Sequence, residues 1–104
     1  MKWRPAKHSV SVARKMTIVN ELGLHARPAA EFVRLANSFR SALWIVKDGK
    51  RFSATSLIDI LRAELDCGVT AILEGEGEDA ETAVERLIQL LPEFREQEKR
   101  QVRN

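Results

Sequence analysis

The sequence lacks the features that mark secreted and membrane-spanning proteins. It has one cysteine, Cys67, among 104 residues, so no disulfide bond can form within the chain. No apolar run approaches the roughly 20 residues of a membrane-spanning helix. Residues 1–16 are basic but have no apolar stretch of the kind found in a secretory signal. We therefore expect a soluble protein of a reducing compartment, the cytoplasm.

Acidic residues are missing from the start of the chain, and this makes the charge uneven. The formal net charge is only +2, yet residues 1–16 hold five basic residues and no acidic one. Residues 17–91 hold 8 basic and 12 acidic residues. A basic terminus is usually a solvated extension. Binding of nucleic acid through this terminus is the less favoured alternative, because the acidic body has no basic stripe.

The pattern of apolar residues predicts four strands. Two-residue spacing predicts a first strand that ends near Asn20. Asp48-Gly49 joins the apolar run 42–46 to residues 51–53, and this dipeptide is typical of a β-hairpin. A fourth strand is predicted over residues 69–74, because β-branched residues favour strands. The residues after it, 75–79, are predicted to form a loop.

Apolar residues at helical spacing predict three helices. Helix A is expected over residues 26–37, helix B between residues 55 and 65, and helix C over residues 80–91. The order βαββαβα predicts an α+β fold, an open-faced sandwich in which three helices cover one face of a four-stranded antiparallel sheet. The expected division is a basic extension (1–9), one domain (10–91) and a charged tail (92–104) that adds little to the core.

The two histidines lie in different settings. His8 lies in the basic extension, where a solvated side chain is expected. His25 lies at the start of helix A, where Pro28 fits the first helical turn. The first N–H groups of a helix have no intrahelical partner and carry partial positive charge. These N–H groups, together with Arg27, would stabilise a phosphoryl group on the imidazole; a capping histidine is the alternative.

A resemblance favours the phosphoryl-accepting histidine over the capping histidine. It is carried by residues 23–29, Gly-Leu-His-Ala-Arg-Pro-Ala. The segment resembles the active-site sequence of the HPr family, the histidine phosphocarriers of the bacterial phosphoenolpyruvate-dependent phosphotransferase system. The resemblance implies that phospho-enzyme I phosphorylates His25 on Nδ1, that Arg27 steadies the phosphate, and that Pro28 shapes the helix start. The phosphoryl group then passes to a downstream protein. A carrier of this kind is a covalent intermediate and not an enzyme, and it needs no cofactor.

The same resemblance assigns a regulatory serine to the start of helix B. Ser56 occupies that place, 31 positions after His25. Regulated members usually have a glycine three residues later, where this chain has Asp59, whose negative charge would oppose a phosphate. The alternative is a serine that only caps the helix. A regulatory protein controlled by the state of His25 or Ser56, in a nitrogen-type relay or with a transcription factor or kinase, is the second functional hypothesis.

Three apolar residues of helix B have two interpretations. Helical periodicity assigns Leu57, Ile58 and Leu61 to the core. The resemblance assigns them instead to the surface that contacts partner proteins. Both interpretations stay open from the sequence alone.

Other chemistry is only weakly indicated. A metal site would need His8, His25 and Cys67 to converge, which their settings do not favour, so no metal is expected. Cys67 is expected to be a small buried residue. The expected partners are enzyme I and a downstream phosphoryl acceptor, with no nucleic acid, no membrane insertion and a monomeric state.

Overall fold

A computed structural model describes residues 10–102, with the side chain of Val102 left out. The predicted extension over residues 1–9 and His8 therefore lie outside the described residues. Seven elements follow one another: β1 (Val10–Thr17), α1 (Ala26–Asn37), β2 (Ala42–Lys47), β3 (Lys50–Ser53), α2 (Leu57–Arg62), β4 (Thr70–Gly77) and α3 (Ala80–Val102). Within the described residues, no helix is long and apolar enough to cross a membrane.

The four strands form one antiparallel sheet in the order β1-β4-β2-β3. The hairpin between β2 and β3 turns at Asp48 and Gly49, which have φ angles of 51° and 77°. A two-residue turn with positive φ at both positions follows the natural twist of the strands. The predicted hairpin is thus confirmed.

The core lies between the sheet and the helices. Alternate side chains of the strands point inward, as Leu43 and Ile45 do in β2 and Ala71 and Leu73 in β4. Helix α3 packs on β1 and β4, while α2 packs on β3 and α1 packs on both helices. The four-stranded sheet with three helices is the predicted fold class, which is confirmed.

Strand β4 is longer than predicted. The sequence predicts a loop over residues 75–79, but β4 continues to Gly77 because it pairs with β1 on one side and β2 on the other. A Cβ atom on Gly75 would lie 3.0 Å from Leu43 and 3.1 Å from Val84. Glycine at this position lets the sheet and α3 approach closely and does not end the strand.

Helix α3 is also longer than predicted. The predicted end near Leu91 is wrong, because the helix continues to Val102 and contains Pro92. Phe94 is 1% exposed, so residues after Pro92 do add to the core. Leu87, Leu91 and Phe94 lie at four- and three-residue spacing and share one buried face. The predicted division between residues 91 and 92 therefore falls inside a helix.

Candidate functional site

His25 lies directly before helix α1. It is the N-cap residue, with extended backbone angles (φ −77°, ψ −173°), and its carbonyl accepts the first helical hydrogen bond from Ala29 N at 2.9 Å. Its side chain makes no capping hydrogen bond and is exposed. The alternative interpretation, a histidine whose side chain caps the helix, is therefore not met, and the side chain is exposed to solvent.

The first turn of α1 has the electrostatic character that an anion needs. The N–H groups of Ala26 and Arg27 occupy the first two helical positions and have no carbonyl within the helix to bind. Pro28 follows as the third residue, where a missing N–H costs nothing. No acidic residue lies in this turn, and the Arg27 side chain is exposed beside it. The partial positive charge of the helix end is therefore not neutralised within the turn.

The loop that leads into His25 is held against the segment after α2. Gly23 has φ +68°, and a Cβ atom there would lie 2.7 Å from the Leu65 carbonyl oxygen and 2.9 Å from Asp66 Cα. The next residue, Leu24, donates its backbone N–H to the same carbonyl at 2.9 Å. Only glycine fits both this backbone angle and this approach.

The C-terminal part of α3 also reaches this loop. The Glu98 carboxylate accepts hydrogen bonds from the backbone N–H groups of Glu21 (2.8 Å) and Leu22 (3.1 Å) and from Asn20 Nδ2 (2.7 Å). Asn20 Nδ2 also donates to the Gly23 carbonyl at 2.8 Å. No local pattern in the sequence pointed to Glu98, because its partners lie more than 70 positions earlier in the chain.

These contacts change the ionisation of Glu98. Burial acts to raise the pKa of its carboxyl, and the hydrogen bond from Asn20 is the largest effect that opposes it. The two backbone N–H groups act in the same direction as Asn20, and so does the electrostatic interaction with the nearby His25 side chain, so the pKa of Glu98 lies below its ordinary value. Glu98 is therefore a carboxylate at neutral pH.

Two hollows adjoin Arg27, and the smaller one also adjoins His25. A small one of about 20 Å³ is lined by both residues together with Pro28, Asn20 and the last turns of α3. A wide groove of about 730 Å³ lies between α1 and α3 and is lined by Arg27, Arg34 and Arg100. Neither encloses a deep substrate pocket, which agrees with a site that acts on the surface.

Ser56 lies away from His25. Its hydroxyl caps α2 by accepting from Asp59 N at 3.2 Å, as predicted for an N-cap serine. The Asp59 carboxylate accepts from Ser53 N at 2.9 Å. Asn37, at the end of α1, donates to the Thr55 carbonyl at 3.2 Å.

Helices α1 and α2 therefore run in opposite directions. The end of α1 meets the start of α2, while Leu24, just before α1, bonds to Leu65 beyond the end of α2. Helix α1 has 12 residues, and such a helix is about 18 Å long. Ser56 thus lies near the end of α1 that is opposite His25, and the two residues do not form one site.

The apolar residues of α2 are on the surface. Leu57, Ile58 and Leu61 are 39%, 67% and 42% exposed. The core position of this helix is Ile60, which is fully buried. The assignment of the three residues to the core is wrong, and their alternative assignment to a surface agrees with the structure. Leu22, in the loop before His25, is 64% exposed and was not among the predicted residues.

Cys67 is exposed, so the prediction of a buried residue is wrong. It lies in the turn after Leu65, where Gly68 has φ +88° and the backbone turns towards β4. Among residues 10–102, no group of three His, Cys, Asp or Glu residues could hold a metal ion.

Comparisons with known proteins show related sequences. The sequence model of the PTS HPr component phosphorylation site matches residues 12–93. The chain is 40% identical over 78 residues to phosphocarrier protein NPr of Shewanella violacea, covering 75% of this chain and 86% of NPr. It is 38% identical over 80 residues to phosphocarrier protein HPr of Haemophilus influenzae, covering 77% of this chain and 94% of HPr.

Solved structures show the same fold. HPr-C-His from Thermoanaerobacter tengcongensis superposes with a TM-score of 0.77 at 37% identity, covering 81% of this chain and 94% of that one. Other relatives are named HPr-like protein Crh, and another structure from T. tengcongensis is described as an HPr dimer. With the family match over residues 12–93 and these relatives, the chain belongs to the PTS HPr family of phosphocarrier proteins.

Proposed function

We propose that this chain accepts a phosphoryl group from phospho-enzyme I on Nδ1 of His25 and passes it to a downstream component of the phosphotransferase system. The observation that carries the proposal is the exposed, uncapped imidazole of His25 at the N-terminus of α1, with Arg27 beside it. Family membership supports the same chemistry. The monomeric state stays a prediction.

The transfer needs only groups at the start of α1. The Nδ1 lone pair of the neutral imidazole bonds to phosphorus while the bond from phosphorus to the donor atom of enzyme I breaks, and the donor atom keeps the electron pair. The N–H groups of Ala26 and Arg27, at the first two helical positions, would donate to the phosphoryl oxygens. The Arg27 guanidinium can add a charge-assisted hydrogen bond. No bound metal or cofactor has a role in this step.

Partner proteins would dock on the exposed face of α2. Leu57, Ile58 and Leu61 expose apolar side chains on this helix, and Leu22 exposes another in the loop before His25. Exposed apolar side chains that gather on one surface are typical of protein contacts. Because the end of α2 meets the loop before His25, a partner on α2 could reach the imidazole. One face can thus serve donor and acceptor in turn.

The test is phosphorylation by phosphoenolpyruvate, magnesium and enzyme I of Haemophilus influenzae, read by intact mass. We expect one acid-labile phosphate on the wild-type chain and none on His25→Ala. His8→Ala is the matched control, since it removes the other histidine, and it should gain the phosphate. A wild-type chain that stays unphosphorylated, or His25→Ala phosphorylated to the same extent, contradicts the proposal.

A second candidate is a regulatory role in a nitrogen-type relay. It is favoured by the similarity to NPr of Shewanella violacea, at 40% identity against 38% for HPr of Haemophilus influenzae, and by relatives named Crh. Binding would then depend on the state of His25 or Ser56. Pull-downs from cell extract with His25→Asp and His25→Ala separate the two candidates. A sugar permease component retained by one form supports transport, and a transcription factor or kinase supports regulation.

A further inference from the structure

The C-terminal part of α3 forms one side of the proposed phosphoacceptor site. The family match ends at residue 93, and α3 continues to Val102. Glu98, Gln97 and Gln101 lie in this continuation and line the small hollow beside His25. The continuation therefore adds to the site residues that the family match does not cover.

The contact between this continuation and the loop is a set of directed hydrogen bonds. One carboxylate oxygen of Glu98 accepts from Glu21 N, and the other accepts from Leu22 N and Asn20 Nδ2. Asn20, which is 1% exposed, links the carboxylate to the Gly23 carbonyl through its Nδ2 atom. Gly23 lies two residues before His25, so the bonds reach from α3 almost to the imidazole.

We propose that Glu98 is a positioning residue for His25, a role that rests on the proposed function. Its carboxylate fixes the loop 20–23 and with it the direction in which the chain enters α1. Holding a reacting group in one geometry lowers the entropy lost on reaching the transition state. Loosening the loop should therefore slow phosphorylation without unfolding the protein.

Glu98 is suited to this role by its placement. It lies four residues after Phe94, on the same side of α3, and the buried Phe94 ring fixes that part of the helix to the core. A carboxylate accepts several hydrogen bonds at once, and bonds to a charged acceptor are stronger than neutral ones. Alanine at this position would leave two loop N–H groups without their acceptor.

The first measurement is amide hydrogen exchange at Glu21 and Leu22, followed by NMR. Glu98→Ala should speed exchange at both amides by about tenfold or more, because a charge-assisted bond is lost at each. Glu98→Gln keeps one acceptor oxygen, so it should give an intermediate rate. The matched control is Glu96→Gln, since Glu96 is exposed on the same helix and pairs with Lys99 on the surface. It should leave both amides unchanged.

The second measurement is the rate at which potassium phosphoramidate phosphorylates His25. The Nδ1 lone pair bonds to phosphorus, the P–N bond of the protonated phosphoramidate breaks, and ammonia leaves with the electron pair of that bond. Roughly 1 M KCl shortens the screening length to about 3 Å, so that the lost charge of Glu98 has little effect on the rate. We expect a several-fold slower reaction for Glu98→Ala, partial recovery for Glu98→Gln and no change for Glu96→Gln.

Two results would overturn the role of Glu98. One is amide exchange at Glu21 and Leu22 that is as slow in Glu98→Ala as in the wild type. The other is a wild-type phosphorylation rate in that variant despite faster exchange. Neither measurement uses a partner protein, so failure of the chain to accept a phosphoryl group from enzyme I would count against the proposed function alone.

Discussion

Oε2 of Glu98 lies 2.7 Å from Nδ2 of Asn20, joining residues 78 positions apart in the chain. Asn20 belongs to the loop before His25, and Glu98 lies near the end of α3. This contact makes the last turns of α3 a neighbour of the proposed phosphoacceptor, although the sequence alone suggests a charged tail there.

Replacing Arg27 should slow phosphotransfer without affecting the fold. Arg27→Ala removes a charge-assisted hydrogen bond to the phosphoryl group, which corresponds to a rate about 10- to 100-fold lower. Because the side chain is exposed, thermal stability should stay near that of the wild type. Arg40→Ala, which removes an exposed arginine beyond the opposite end of α1, is the control and should react nearly as the wild type does. Phosphorylation by enzyme I, quenched at successive times, measures the rate of each variant. A rate for Arg27→Ala equal to that of the wild type would exclude a role for Arg27.

Removing the Ser56 hydroxyl should destabilise the protein through the loss of a helix cap. Ser56 Oγ accepts from Asp59 N, and loss of such a cap costs about 1 kcal/mol. Urea unfolding of Ser56→Ala, with the exposed strand residue Ser11→Ala as control, measures this cost. Phosphorylation of His25 should be unaffected, since Ser56 lies near the opposite end of α1. An unchanged midpoint for Ser56→Ala would show that the cap contributes nothing.

Phe94 should contribute to stability as a core residue. Its side chain is 1% exposed, and truncation of a buried phenylalanine to alanine costs about 3–5 kcal/mol. Glu93→Ala is the control. Glu93 is exposed next to Phe94, so its replacement should change the free energy of unfolding little. Urea unfolding followed by circular dichroism compares the two variants. If both unfold at the wild-type midpoint, α3 beyond Leu91 adds nothing to the core.

Acid should destabilise the protein in part through Asp79. The hydrogen bond from the Ser41 hydroxyl, followed by that from Arg40 N, lowers the pKa of Asp79 in the folded state. The folded protein thus binds fewer protons than the unfolded chain between the two pKa values, and stability rises with pH there. The contribution is complete above the unfolded pKa of about 3.9 and is lost as the pH falls through the folded value.

Urea midpoints as a function of pH test this prediction. Asp79→Asn should flatten the acid limb of the stability curve, since the side chain no longer titrates. Asp48→Asn is the control, because Asp48 is exposed in the β2–β3 turn and asparagine suits its positive φ. An acid limb of the same slope in Asp79→Asn and the wild type would rule out Asp79 as a source of the pH dependence.

The sequence could predict those parts of the site that are contiguous. His25, Arg27 and Pro28 lie within one helix start, so a short motif and the physics of helix termini were sufficient to propose them as site residues. Glu98 has no such signal, because its role depends on how α3 packs against a loop far away in the sequence. The exposure of Leu57, Ile58 and Leu61 likewise depends on which face of α2 packs against α1 and β3.

The errors in the predicted elements have similar causes. The glycines at positions 75 and 77 are typical of a loop, but Gly75 pairs with both β1 and β2 and Gly77 pairs with β1, and this pairing outweighs the local preference. Pro92 is typical of a helix end, yet the apolar spacing from Leu91 to Phe94 continues the buried face. That spacing was present in the sequence and could have corrected the helix boundary.

The most direct test of the account is NMR of the phosphorylated protein labelled with ¹⁵N at histidine. Couplings between phosphorus and the ring nitrogens identify the residue and the atom that carry the phosphate. The account predicts a single phosphate on Nδ1 of His25 after reaction with phosphoenolpyruvate and enzyme I. A phosphate on Nε2 of that ring, or on His8, would contradict it.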